Sequence, residues 1–292
     1  MANVKLSIIA PSGAVVPLAS NVGEPGPYRV LFGTTGFGIP KATVSTTESA
    51  GDGRRIGNVR VSGRIVTLAV DVTGTSRADT EAKLNTLADA ISYADGKPLP
   101  RLRATYPNGT AREVEFLHIG GGEEGFVDDE LSVSLILTLD CPDPYWTSVE
   151  YTSFVVQQTN PEVGFLESLP NAYLLPSDAF GQIVVNNPGR VDSWIDWELQ
   201  GPFTRVDVTN ASGLGWEFEA DVDEGETIFI RKTPAGIEVV DQTGATRFAS
   251  IGDVPQFFRI PAGQSQFTVA VQGANAATKA IGRYKPRHRL VF

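Results

Sequence analysis

Between Leu131 and Leu139 every odd position is apolar, while Ser132, Ser134 and Thr138 fall at even ones. A period of two predicts a strand with one greasy face and one largely hydroxylated face. The strand runs into Asp140-Cys141-Pro142-Asp143-Pro144-Tyr145-Trp146. Two prolines remove two backbone donors and force the residues before them into extended geometry, so the ladder is predicted to stop there. Tyr145 and Trp146 are expected to pack the end of one domain and set the direction in which the chain leaves it. An ordinary strand end with two core aromatics is the plainer alternative, and local physics favours it.

The pattern places further elements before this seam. Residues 4–10 alternate, and Tyr28 to Phe32 form a short run after Gly23-Glu24-Pro25-Gly26-Pro27. Val59 to Asp71 reads as one long strand with an internal Gly63. Before it, Lys41 to Arg55 is polar and lacks the apolar period needed to bury itself. A connection of that length inside a compact domain points to function or disorder. One helix is predicted over 76–93, covering one face of a sheet. Ser76 and Asp79 supply an S-x-x-D capping box; Leu84, Leu87, Ala88 and Ile91 make an apolar stripe, with Glu81, Lys83 and Asp89 facing away. Asp95-Gly96-Lys97-Pro98 ends it. Runs at 101–106 and 112–119 flank the hairpin signal Pro107-Asn108-Gly109, and Gly120 to Asp129 is an acidic, glycine-rich loop.

After Trp146 the pattern changes. Residues 150–180 hold few clear periods and read as a connector. Beyond Phe180 short strands recur with no helix between them. Leu214, Trp216 and Phe218 alternate with Gly215, Glu217 and Glu219, and Phe267, Val269 and Val271 repeat the spacing. Turns are marked by Asn187-Pro188-Gly189, Glu224-Gly225, Thr243-Gly244 and Ala262-Gly263. The prediction is a mainly β chain: an N-terminal β domain over 1–148 with one helix, a connector over 149–180, and a β-sandwich of jelly-roll type over 181–292.

Composition supports this. A length of 292 residues suggests about two domains, and 30 glycines with 19 prolines suit an all-β chain with many turns. The net charge of -10 argues against a sequence-independent nucleic-acid binder, which needs a basic surface. A single cysteine, Cys141, makes no intrachain disulfide, and two histidines, His118 and His288, exclude a histidine-rich metal site. No apolar run approaches the ~18 residues of a membrane helix, so no membrane insertion is expected. Residues 1–10 are too short and too polar for a secretory signal, so synthesis in a reducing cytoplasm is expected.

Candidate chemistry is sparse. No G-x-S-x-G or HExxH occurs, and Cys141 lies before a proline at a strand end, away from either histidine in sequence; an inert thiol is expected. Asp221-Val222-Asp223-Glu224-Gly225-Glu226 echoes a calcium loop but lacks its ligand spacing, so a solvated turn is favoured. Glu123-Glu124 with Asp128-Asp129-Glu130 resembles a carboxylate pair for glycoside hydrolysis, yet a glycine-rich loop does not fix such a pair. Trp216 is in phase with Leu214 and Phe218 and reads as core. Trp194 and Trp197 are three apart, so they point to opposite faces. Gly120-Gly121-Gly122 carries two glutamates and no phosphate-loop lysine.

A β domain with one capped helix, closed by a strand running into D-C-P-D-P-Y-W, resembles the N-terminal domain of the distal tail proteins of long-tailed, non-contractile phages. The second half resembles that family's galectin-like domain. The residues are Val185-Asn186-Asn187-Pro188-Gly189, Trp197-Glu198-Leu199-Gln200-Gly201-Pro202, Gly225-Glu226-Thr227-Ile228-Phe229-Ile230, Pro255-Gln256-Phe257-Phe258-Arg259-Ile260-Pro261-Ala262-Gly263 and Tyr284-Lys285-Pro286-Arg287. Residues 160–180, with Phe165-Leu166-Glu167-Ser168-Leu169-Pro170, match no feature of that family. The histidine and arginine set of sugar-binding galectins is missing, so the resemblance implies the fold without the sugar site.

The resemblance implies a non-enzymatic virion structural protein without cofactor or metal. It would form a homohexameric ring at the distal end of the tail tube, with a belt of N-terminal domains around the lumen and sandwiches outside. Implied partners are further copies of itself, the tail tube protein, the tape measure protein and baseplate hub or tail-tip proteins, without nucleic-acid binding. The implied location is the tail tip of the virion. The polar stretch, with Lys41, Thr46, Glu48, Asp52, Arg54 and Arg55, is then expected to be an assembly loop, mobile in the free protein and ordered between stacked rings. The alternative from another class is a carbohydrate-binding module contacting the host surface.

Overall fold

The computed structural model describes residues 4–19, 26–122, 131–157, 181–233 and 235–291. The chain divides into two compact units, Met1–Glu150 with Arg287–Phe292, and Tyr151–Pro286.

Unit 1 begins with β1 (Lys5–Ile9), β2 (Val15–Leu18), β3 (Tyr28–Val30), β4 (Ala42–Glu48), β5 (Arg54–Val61) and β6 (Arg64–Thr73). Helix α1 (Arg77–Ile91) follows, then β7 (Arg101–Thr105), β8 (Ala111–Glu115), β9 (Leu117–Gly121), β10 (Ser132–Cys141) and β11 (Trp146–Ser148). One sheet carries β2-β1-β7-β8-β11, a second is ordered β3-β6-β10-β9, and β4 pairs with β5 alone. Alternation turns Ile8, Leu102, Val114 and Trp146 of the first sheet, and Leu68, Val70, Leu137 and Leu139 of the second, into one core at 2% exposure or less. Each such side chain contributes about 2 kcal/mol by leaving water. Pro142 and Pro144 end β10 at Cys141 as expected, and Trp146, fully buried, stacks on Phe37 with centroids 5.7 Å apart.

Three expectations change. The run Val59 to Asp71 is two strands: β5 leaves the sheet for β4, and Ser62-Gly63 separates it from β6. The helix buries Leu87, Ala90 and Ile91, while Ala88 is exposed and Leu84 half-buried, because the stripe rotates past the one-face template. The cap is shifted: Ser76 Oγ accepts from the Asp79 amide at 3.2 Å, but the Asp79 carboxylate reaches back one residue further, accepting from the Thr75 amide at 2.7 Å and its hydroxyl at 2.9 Å.

Unit 2 comprises β12 (Thr152–Gln157), β13 (Gly181–Asn187), β14 (Ser193–Trp194), β15 (Asp196–Gln200), β16 (Phe203–Asn210), β17 (Gly215–Val222), β18 (Thr227–Thr233), β19 (Gly236–Asp241), β20 (Arg259–Ile260), β21 (Gly263–Gln272) and β22 (Lys279–Tyr284). A five-stranded sheet, β12-β22-β15-β18-β19, and a four-stranded sheet, β13-β21-β16-β17, share one core. Early strands pair with late ones, β12 with β22 and β13 with β21, so both sheets are closed by long-range pairing. Phe154, Trp197, Trp216 and Phe267 meet edge-to-face across the core. Gly282 leaves room for Phe154, whose ring would lie 2.0 Å from a Cβ there. β12 lies within the expected connector; residues 158–180, including Phe165 to Pro170, lie outside the described residues.

The chain then returns to unit 1. β23 (Arg287–His288) pairs antiparallel with β11, Thr147 opposite Arg287 and Trp146 opposite His288, and completes the first sheet as its sixth strand. Residues 287–292, expected with the sandwich, therefore belong to the other unit.

Candidate assembly surface

The polar stretch is not an irregular loop. It holds Val44 in β4, while Ile56, Val59 and Val61 lie past its end in β5, so the period is invisible until the strands are paired. Ala42 opposes Val61 and Val44 opposes Val59; past a bulge, Thr46 opposes Ile56 and Glu48 opposes Arg54. Directly opposed residues share a face. One face of the ribbon thus carries Ala42, Val44, Ile56, Val59 and Val61, with Thr46 beside Ile56 and the Glu48–Arg54 pair at its far end, and the other carries Thr43, Thr47, Arg55 and Arg60. Within Ala42–Val61 every residue but Ser49 is exposed, with Ile56 at 71% and Val59 at 55%. A two-stranded ribbon with an uncovered apolar face is marginal in water and gains stability when a further surface covers it.

The expected assembly residues fall along this ribbon. Lys41 lies at its root, where its carbonyl accepts from the Ser62 amide at 3.2 Å. Thr46 is midway, Glu48 and Arg54 oppose each other near the far end, Arg55 opposes Thr47, and Asp52 sits in the end turn before Gly53, whose φ is +99°. The apolar residues Val44, Ile56, Val59 and Val61 were missed as a group. The signal for them was Ser62-Gly63, a break inside an apparently continuous strand.

The root is held by Arg64, which is 4% exposed. Its guanidinium donates to four carbonyls: Gly36 at 2.5 Å, Gly38 at 2.7 Å, Pro144 at 2.8 Å and Arg289 at 2.8 Å. Gly36 has φ +96°, and a Cβ there would lie 2.3 Å from the Ile65 carbonyl oxygen, so the chain passes close over β6 only as glycine. Exposed Phe32 and Ile39 flank this loop.

The remaining candidates separate by environment. Cys141 is fully buried, and burial pushes its thiol up to about 12, with Arg64 opposing and Asp140 and Asp143 adding to the shift. It is not a thiolate at neutral pH. Asp221 to Glu226 span the end of β17 and the turn into β18, with the Glu226 carboxylate accepting from the Asp223 amide at 3.0 Å. Trp197 and Trp216 are core, 3% and 5% exposed, whereas Trp194 is half-buried beneath the Arg259 guanidinium at 4.6 Å. Glu123, Glu124, Asp128, Asp129 and Glu130 lie outside the described residues. Among the described residues no group of three or more His, Cys, Asp or Glu is placed to hold a metal ion. No described helix is long and apolar enough to cross a membrane.

No protein-family profile and no curated protein sequence matches this chain. Solved structures do. The Dit protein (gp 19.1) of phage SPP1, described as a paradigm of the hub adsorption apparatus in phages infecting Gram-positive bacteria, aligns at TM-score 0.65 and 12% identity, covering 98% of this chain and 99% of that one. The baseplate of phage p2 in its activated conformation aligns at TM-score 0.53 with calcium and 0.54 with strontium, at 12% identity, covering 97% of this chain and 98% of the other in each case. The fold of this chain is that of a phage distal tail protein.

Proposed function

We propose that this chain is a structural protein of a phage tail tip that closes into a homohexameric ring through unit 1 and joins the tail tube to the baseplate. One observation carries the reading: the likeness to the SPP1 Dit protein extends over 98% of the chain and so includes both units in the same order. The β4–β5 ribbon fits the role, because a ring needs a heterologous interface whose rotation closes, and a projecting ribbon with an apolar face reaches a second copy of the chain. The partners are then the tube protein, the end of the tape measure protein and baseplate hub proteins, and the protein resides in the virion. Unit 2 carries host-recognition parts. No enzymatic activity is assigned, and the protonated Cys141 fits that.

Electron microscopy and light scattering of the purified full chain test the reading. Closed rings are expected. The pair Ile56→Glu and Val59→Glu is expected to weaken association by about tenfold or more, since each places a charge in an apolar contact. A chain that stays monomeric at high concentration and binds on a glycan array would instead support the carbohydrate-binding alternative.

A further inference from the structure

The segment Arg287–Val291 is bound by unit 1 in the way an extended peptide is bound. Its carbonyls at 289, 290 and 291 accept from Arg64 at 2.8 Å, Arg112 at 2.9 Å and the Tyr106 hydroxyl, respectively. Arg287 grips Asp143 through both carboxylate oxygens at 2.5 and 2.6 Å, and the His288 ring lies 3.1 Å from Ser148 Oγ. Val291 is 1% exposed in the core of unit 1. The same contacts converge on the ribbon's root. Arg64, which takes the 289 carbonyl, also holds the carbonyls of Gly36 and Gly38, and the Val291 amide donates to Phe37 at 3.4 Å. Phe37 in turn stacks on Trp146, whose strand β11 pairs with the segment. Three residues beyond Gly38 the chain enters the ribbon.

We propose that Arg287–Val291 is a strap that fixes the root of the β4–β5 ribbon, so that docking of the strap sets whether the ribbon is presented for self-association. The second clause rests on the assembly reading above; the first does not. With the strap docked, the loop at 36–38 is held from two sides, by a guanidinium bonded to both and by a buried valine. With it released, Arg64 loses one acceptor, Phe37 loses its amide partner, and the cavity left by Val291 lets the loop move. Because the strap is the strand that leaves unit 2, a partner engaging unit 2 has a covalent route to the ribbon.

Two measurements separate the clauses. Nitroxide labels at Asp52→Cys and Asp89→Cys report the ribbon against the helix. They are placed in the full chain carrying Ile56→Glu and Val59→Glu, so that association does not enter; Cys141 is buried and stays unlabelled. Val291→Asp, which expels the strap, is expected to broaden the distance distribution by about twofold or more. An unchanged width overturns the strap–root coupling. In the otherwise native chain, Val291→Asp is expected to weaken association by about tenfold; a broadened ribbon with undiminished association overturns the gating clause. If the native chain does not associate, the assembly reading falls while the width still decides the coupling. Arg112→Gln, which removes the guanidinium that donates to the 290 carbonyl and lies 5.0 Å over the Tyr106 ring, is the milder variant because it leaves Val291 in place. It is expected to broaden the distribution measurably, and no broadening overturns the coupling even if Val291→Asp cannot be purified.

Discussion

Arg64 and Asp71 are charged residues of β6 buried for different purposes. Arg64 puts a planar fork of donors where separate loop carbonyls converge, which a point charge cannot reproduce. Arg64→Met is expected to cost about 3 kcal/mol or more in urea denaturation, because buried acceptors lose their donor, and Arg64→Lys about 2 kcal/mol. Asp71 is 6% exposed and accepts from the Ser132 hydroxyl at 2.7 Å, the Ser134 hydroxyl at 3.1 Å and Arg29 at 2.9 Å. Burial pushes its carboxyl up, but these hydrogen bonds and the Arg29 charge outweigh it, and the net shift is downward. A lowered folded pKa gives stability that is fully present above the ordinary carboxylate value of about 3.9 and lost as pH falls through the folded value. Asp71→Asn is therefore expected to be less stable than the parent at pH 7 and to show a shallower loss of stability below pH ~4, read from thermal unfolding across pH.

At the scale of elements, what was readable depended on where the partner of each residue lies. The strand 132–141 announced itself because its period and its proline stop are local. The helix did too, and its cap can be tested: Ser76→Ala is expected to cost about 1 kcal/mol, a fall of about 2–4 °C in melting temperature. The ribbon was hidden for the opposite reason. Val44 and Val59 are 15 positions apart and form one face only once the strands pair, and Ile56 joins that face only past a bulge. Ala88 shows the same limit on the helix, since which flank of an apolar stripe is covered depends on the sheet beneath it.

For the whole molecule, unit 1 is completed by contacts across 140 to 225 residues, from Ser148 to His288 and from Arg64 to Arg289. A chain cut after Glu150 lacks β23 and Val291 and so leaves β11 unpaired on one edge and a hole in the core. It is expected to unfold at lower temperature and to aggregate, whereas the same piece rejoined to residues 287–292 through a short glycine-serine turn is expected to stay soluble, as measured by light scattering and thermal unfolding. Residues 1–148 alone are for this reason a poor candidate for the ring.

The sequence by itself determined the mainly β class, the helix at 77–91, the seam at Pro142 and Pro144, the burial of Trp216 and the inert character of Cys141. All of these follow from period, proline chemistry and hydrophobicity, which act within a few residues. Only the tertiary structure decided that the polar stretch is a paired ribbon, that Arg64 gathers four distant carbonyls and that residues 287–291 return to unit 1. Those outcomes depend on which strand edges and buried donors meet across the fold, and no local pattern encodes the partner at the other end of such a contact.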